Sequence, residues 1–198
     1  MLQSFFSDFS LEAGADEVGR GCLAGPVVAA AVILPKEYEN KEFDDSKKLS
    51  ASKREQLVEV IKKEAICWAV AEVDNHEIDE INILNASFLA MEKAIQQLNQ
   101  KPEFLLIDGN RFKSKLDIPF ECIIKGDSKY LSIAAASILA KTHRDNLMKT
   151  FHKQFPAYCW DKNKGYPTKD HRAAIQEIGP CALHRKSFQL LPSQLELF

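Results

Sequence analysis

An α/β architecture, a mixed β-sheet with helices on both faces, is the fold class this sequence predicts, on three observations. Short β-branched and alanine-rich runs alternate with helical apolar stripes along the 198 residues. The early strands follow one another closely, whereas each later strand precedes a helix, so antiparallel and parallel neighbours are both expected. The composition, 45% apolar and 27% charged, is that of a globular chain long enough to bury a core without disulfides or a structural metal.

In chain order, residues 11–18 read as a short strand that ends at the turn Gly19-Arg20-Gly21. Residues 26–34 are a buried strand stopped by Pro35. Ser50 or Ser52 caps the helix that follows, and Ser52 with Glu55 fits a capping box. Leu57, Val58, Ile61 and Ala65 continue its apolar stripe, and residues 65–73 form the next strand. Residues 83–99 carry Leu84, Phe88, Met91, Ile95 and Leu98 on one helical face. Residues 103–107 form a buried strand that delivers Asp108-Gly109, and residues 120–124 one that delivers Lys125-Gly126-Asp127. Residues 130–151 are a long alanine-rich helix, and from Lys153 the chain is helical and loop-like with a turn at Tyr166-Pro167.

The net charge of −2 hides an asymmetry. Residues 1–100 hold 10 basic and 18 acidic side chains, a net of −8, and residues 101–198 hold 16 and 10, a net of +6. A split of this kind is compatible with a polyanion-facing surface as well as with uneven surface charge. The five cysteines (22, 67, 122, 159 and 181) form no C-x-x-C pair, which argues against a zinc or thioredoxin-like site. The N-terminus has no signal-peptide pattern, and the longest apolar runs are far short of a membrane span. A reduced cytoplasm is the expected location.

The chemistry concentrates at strand ends. Asp16-Glu17, Asp108 and Asp127 stand at or just past the ends of three strands, where ligands collect in open α/β sheets. Grouped carboxylates repel unless a cation lies between them, and an all-oxygen donor set selects hard ions such as Mg²⁺ or Mn²⁺. Two such ions can activate water and stabilise a leaving oxygen in phosphoryl transfer. Taken singly, Asp-Gly and Gly-Asp are also ordinary turn formers. Asp16 and Glu17 are neighbours, so on a regular strand they point to opposite faces, and Glu17 is expected where the backbone leaves strand geometry ahead of Gly19.

Several segments together carry a resemblance: residues 13–35 (AGADEVGRGCLAGPVVAAAVILP), DDSKKLS at 44–50, NILNASFLAMEKA at 82–94, LIDGN at 106–110, KGDSKYLSIAAASILAKTHRD at 125–145, GYPT at 165–168 and HRKSF at 184–188. In this order they closely resemble type 2 ribonucleases H, the ribonuclease HII family of bacteria. Val18 and Cys22 replace the Ala and Pro common in that signature.

The resemblance implies an RNase H-like fold: a five-stranded mixed sheet flanked by helices, with a C-terminal helical extension. It implies one catalytic domain over 1–188, the extension being about residues 150–188, with a tail at 189–198. It implies an endonuclease acting on RNA–DNA hybrids and 5′ to single ribonucleotides in duplex DNA. The products would carry a 3′-hydroxyl and a 5′-phosphate, as ribonucleotide excision repair and primer removal require. The family's catalytic and metal-binding carboxylates carry over as Asp16, Glu17, Asp108 and Asp127, holding two Mg²⁺ or Mn²⁺ ions. Substrate contacts carry over as Gly19, Arg20 and Gly21 at the 2′-hydroxyl, Tyr166 on the following sugar, and Lys47 and Arg185 at phosphates. Lys125, Lys129, Ser128 and Ser187 are weaker phosphate candidates, and Lys48 stays unassigned. The five histidines lie away from the acidic strand ends in sequence, so a histidine base is not expected and most are expected at the surface.

After Pro192 the tail ends in Gln194, Leu195, Leu197 and Phe198, which resemble the peptide by which bacterial repair proteins dock on the DNA sliding clamp, a peptide-in-groove mode. Folding back onto the domain is the alternative. No membrane partner and a monomeric state are expected. Competing readings are a type 3 ribonuclease H, which carries an extra N-terminal domain, and a non-catalytic hybrid-binding protein, which would lack one of the four carboxylates.

Overall fold

In the computed structural model, which describes residues 2–43, 46 and 49–191, five strands form one sheet. The strands are β1 (Glu12–Val18), β2 (Val27–Ile33), β3 (Cys67–Val73), β4 (Phe104–Asp108) and β5 (Phe120–Ile123), in spatial order β3-β2-β1-β4-β5. The β1–β2 and β2–β3 pairs are antiparallel, and β1–β4 and β4–β5 are parallel, so the expected mixed sheet forms. Helices α1 (Ala51–Glu64), α2 (Asn75–Gln96) and α3 (Leu131–Gln154) cover it, followed by the short α4 (Trp160–Asn163) and by α5 (Lys169–Ile178).

The sequence of β2, VVAAAVI, explains its central place. All seven residues are buried, with Val27, Ala29, Ala31 and Ile33 toward α2 and Val28, Ala30 and Val32 toward α1 and α3. Alternate side chains of one strand thus feed two cores. Full burial of a Val or Ile is worth about 1.5–3 kcal/mol, and a polar residue here would forfeit it. The α3 stretch Ala134–Ala136 is small enough to lie against the sheet. At Gly14 a Cβ would collide with the Ser132–Ile133 backbone, so glycine sets how closely α3 approaches β1. From that contact α3 carries Ser137, Lys141, Arg144 and Met148 along one face, at spacings of four, three and four.

One helix start settles an alternative and another differs from expectation. Ser50, not Ser52, caps α1, its hydroxyl accepting from the Lys53 N–H at 3.2 Å. Helix α2 begins at Asn75 behind an Asp74 cap that accepts from the Glu77 N–H at 2.8 Å. At Asn82 the helix breaks (φ 66°) and restarts, because the Asn82 carboxamide accepts from the N–H groups of Leu84 and Asn85 and caps a second segment. The stripe read from residue 83 belongs to that segment.

The chain beyond α3 has its own cluster, in which Met148, Tyr158, Trp160 and Ile175 pack with Leu23 and Ala24 of the β1–β2 loop. Main-chain bonds fasten it there: Leu23 N–H to Gly165 O at 2.8 Å, Gly25 N–H to Leu183 O at 2.9 Å, and Arg185 N–H to Leu23 O at 2.8 Å. Among the described residues no helix is long and apolar enough to cross a membrane.

Candidate active site

The parallel β1–β4 ladder ends at the Ala15–Ile107 pair, so Asp16, Glu17 and Asp108 project past the last shared rung. Asp16, Glu17 and Asp108 line one cleft of about 620 Å³, together with Gly19, Arg20, Gly21 and Tyr166. Glu17 does not need the departure from strand geometry that was expected: it pairs with Ala29, and Val18 with Val28, inside regular β1. It reaches the cleft because no β4 residue pairs beyond Ala15, which leaves the flank of β1 open there.

Asp127 is placed differently. It is buried in a 3₁₀ turn, Gly126–Ser128, outside the cleft lining, and is tied to the cluster through Gly126, whose N–H donates to Asp108 Oδ1 at 2.7 Å.

The electrostatics are those of a crowded, buried carboxylate site. Burial, followed by the charges of Glu17 and Asp108, pushes the Asp16 carboxyl well above the usual carboxylate range. Burial pushes Glu17 up to about 6, although Arg20 opposes this through a 3.1 Å ion pair. Glu17 Oε2 is buried and has no hydrogen-bond partner. Among the described residues no three His, Cys, Asp or Glu side chains yet form a closed metal-binding group. The open, all-oxygen donor set and the orphaned Oε2 nonetheless fit a hard divalent cation, whose charge would offset the carboxylate repulsion.

The glycines of the loop differ in kind. Gly19 takes φ +97°, and a Cβ there would strike the Arg144 guanidinium, so its reason is internal. Gly21 has neither a left-handed φ nor any atom within 4 Å of an added Cβ. Its lack of a side chain leaves main chain bare toward the cleft. Tyr166 is half-buried, 5.9 Å below the Lys141 ammonium and 6.0 Å from the Arg144 guanidinium.

Arg185 faces inward. It is wholly buried, and donates from Nε to Gly25 O at 3.0 Å and from Nη1 to Arg20 O at 2.9 Å. It braces the loop from beneath, and the expected phosphate contact is not available to it in this position. Ser187 likewise donates to Asp79, at 2.6 Å. Arg20 keeps half of its side chain exposed at the cleft rim. Lys47 and the tail residues Gln194, Leu195, Leu197 and Phe198 lie outside the described residues.

Several residues of the site were not singled out from the sequence. Arg144 is fully buried and donates to the carbonyls of Ala24, Pro26 and Lys164 at 2.8–3.1 Å, tying the loop to the 164–166 turn. Its signal was an arginine four residues past Ala140 on the buried stripe of α3. Arg54 bridges α1 to α3 through Asp145 at 3.1 Å, and Lys141 holds the other Asp145 oxygen at 2.7 Å. Ser137 meets Ser46 at 2.9 Å and lines the cleft with Asp16. His171 and His184 are fully buried, whereas His76 and His143 are exposed, so the surface expectation for most of the five fails at these two.

Known proteins resemble this chain over its length. A family model described as ribonuclease HII matches residues 13–191. Ribonuclease HII of Bacteroides fragilis is 59% identical over 199 residues, covering 100% of this chain and 99% of the relative. Among solved structures, ribonuclease H2 from Pyrococcus horikoshii superposes with a TM-score of 0.76 at 23% identity, covering 91% of this chain and 94% of that one. The PCNA:RNase HII complex from Archaeoglobus fulgidus gives 0.75 at 26% identity, covering 95% and 100%.

Proposed function

The chain belongs to the ribonuclease HII family and is a ribonuclease H endonuclease of RNA–DNA hybrids; from that premise we propose a finer activity and a role for each site residue. It cuts 5′ to single ribonucleotides embedded in duplex DNA and serves ribonucleotide excision and primer removal in the bacterial cytoplasm. One observation carries this reading: a buried, mutually repelling carboxylate set shares a cleft with a glycine loop whose Gly21 has no internal reason to be glycine.

Asp16, Glu17, Asp108 and Asp127 would hold Mg²⁺ or Mn²⁺, two ions in the loaded state, and ions bound there would lower the pKa of an attacking water and offset charge on the leaving oxygen. The water oxygen would bond to the phosphorus 5′ to the ribonucleotide and give up its proton to solvent, while the bond to the preceding 3′ oxygen breaks and that oxygen takes a proton from solvent, leaving a 3′-hydroxyl and a 5′-phosphate. The 2′-hydroxyl is the sugar's one ribose-specific handle. Main-chain groups of Gly19, Arg20 and Gly21 approach it closely, and Tyr166 lies against the next sugar, where a second 2′-hydroxyl would clash. Arg20 and Lys47 contact phosphates. Arg185 acts as a positioning residue for the loop.

The tail, with Gln194, Leu195, Leu197 and Phe198, docks on the sliding clamp. The archaeal relative solved with PCNA supports a clamp partner for this family.

A duplex carrying one ribonucleotide tests the reading, with Mg²⁺ or Mn²⁺ against chelator. Cutting 5′ to the ribonucleotide in metal alone is expected, and no cut in either metal overturns it. Asp16→Asn removes ligand charge at constant volume and abolishes cutting while the fold survives.

A further inference from the structure

Beneath the cleft, two histidines sit without any solvent contact. His171 of α5 and His184 of the C-terminal segment face each other, Nε2 to Nε2, at 3.2 Å. The Trp160 indole N–H donates to His171 Nε2 at 3.0 Å, so that nitrogen is an acceptor. The proton of His171 is therefore on Nδ1, 2.9 Å from the Tyr166 carbonyl oxygen, to which it donates. The Cys181 main-chain N–H donates to His184 Nδ1 at 3.0 Å, so the His184 proton is on Nε2 and points at His171. One proton arrangement is compatible with these contacts: two neutral imidazoles of opposite tautomer, with the Trp160 and His184 N–H groups sharing the one lone pair of His171 Nε2. A second proton on either ring would set donor against donor.

Both ends of this pair lead to the ribose-reading elements. His171 holds the Tyr166 main chain, and Tyr166 lines the cleft together with Gly19, Arg20 and Gly21. His184 bridges to Ala24 and precedes Arg185, whose guanidinium holds the carbonyls of Arg20 and Gly25.

We propose that the His171–His184 pair, locked as neutral imidazoles of opposite tautomer, is the positioning joint that sets Tyr166 and the Gly19–Gly21 loop at a fixed separation. It rests on the ribose-reading roles given above to those two elements. Neither histidine touches substrate. The joint fixes the gap that accepts a ribose followed by a deoxyribose, and a looser gap costs selectivity before it costs the chemical step.

Two measurements test it. Long-range ¹H–¹⁵N spectra of the ¹⁵N-labelled wild-type protein at neutral pH read the tautomers without any assay of activity. His171 should show a protonated Nδ1 and a bare Nε2, and His184 the reverse. Equal tautomers, a tautomer mixture or an imidazolium at either ring overturns the proposal. The second measurement is single-turnover cutting of a one-ribonucleotide duplex relative to a continuous RNA–DNA hybrid. His171→Asn keeps an N–H near the Nδ1 position, and His171→Leu does not. His171→Leu should lower the ratio about tenfold, as should Tyr166→Ala, with no further loss in the double variant, while His171→Asn keeps it. An unchanged ratio in His171→Leu overturns the joint. Failure of the wild-type protein to cut at a ribonucleotide would instead overturn the ribose-reading assignment, leaving the tautomer result to stand by itself.

Discussion

Replacing Glu17 with glutamine should stabilise the metal-free protein, and by an amount set by pH. Burial raises the Glu17 carboxyl from 4.5 to about 6 against the pull of Arg20. A carboxyl with a folded pKa above its unfolded one binds more protons when folded, so stability falls as pH rises through that window. Its cost is absent below about 4.5 and fully expressed above about 6. At about 1.4 kcal/mol per pH unit, that gap amounts to about 2 kcal/mol. Glutamine has the same shape and never ionises. In chelator, Glu17→Gln should therefore match the wild type at about pH 4 and exceed it by about 2 kcal/mol at about pH 7.5. For a chain of this size that is a Tm higher by about 4–8 °C. Urea denaturation and calorimetry in chelator at both pH values measure it. A stability gap that is the same at both, or a wild type that wins at the higher pH, refutes the claim that Glu17 is held ionised at a cost. Adding Mg²⁺ or Mn²⁺ should stabilise the wild type more than the variant, because a ligand bound only by the folded state adds to its stability.

The two loop glycines should separate. Gly19→Ala should lose about 1–3 kcal/mol in denaturant, from its positive φ and the collision with Arg144. Gly21→Ala should stay within about 0.5 kcal/mol of wild type yet lose at least about tenfold in cutting, and a Gly21→Ala enzyme of full activity would remove the close approach argued for that residue. Arg185→Lys keeps the charge but loses the two-pronged hold on Gly25 and Arg20, so it should lose about 1–3 kcal/mol of stability. An unchanged stability with a higher KM would mean that Arg185 meets a phosphate after all. A chain ending at Pro192 should fail to capture the sliding clamp that the full chain captures while cutting duplexes at the same rate, and equal capture by both would rule the tail out.

The strand-end carboxylates were legible in the sequence because the local signal and the global placement coincide. Asp108 and Asp127 each follow a β run, and the chain order of strands put those ends on one side of the sheet. The burial of β2 was legible for the same reason, since VVAAAVI suits a strand covered on both faces. Glu17 was misjudged because its freedom depends on where the neighbouring strand stops pairing, a fact of β4 that no residue near Glu17 reports. The burial of Arg185, His171 and His184 was not legible, because nothing in the sequence around each of them marks it. Their burial comes from the packing of residues 158–188 against the β1–β2 loop, more than a hundred residues away in sequence.

That packing changes what the C-terminal extension is. Two arginines from different segments, Arg144 of α3 and Arg185 of the extension, are fully buried, and their donors go to main-chain carbonyls of residues 20–26 and to Lys164. A buried guanidinium is costly, and it is retained where a rigid fork is needed to fix several carbonyls at once. Here the fixed carbonyls belong to the loop that follows Asp16 and Glu17 and to the turn that carries Tyr166. The extension thus supplies the far wall of the cleft and also the fasteners of its near wall. The basic excess of residues 101–198 follows in part from this: some of those charges are spent inside, on geometry, and the remainder, with Lys141 at the cleft, faces the anionic duplex.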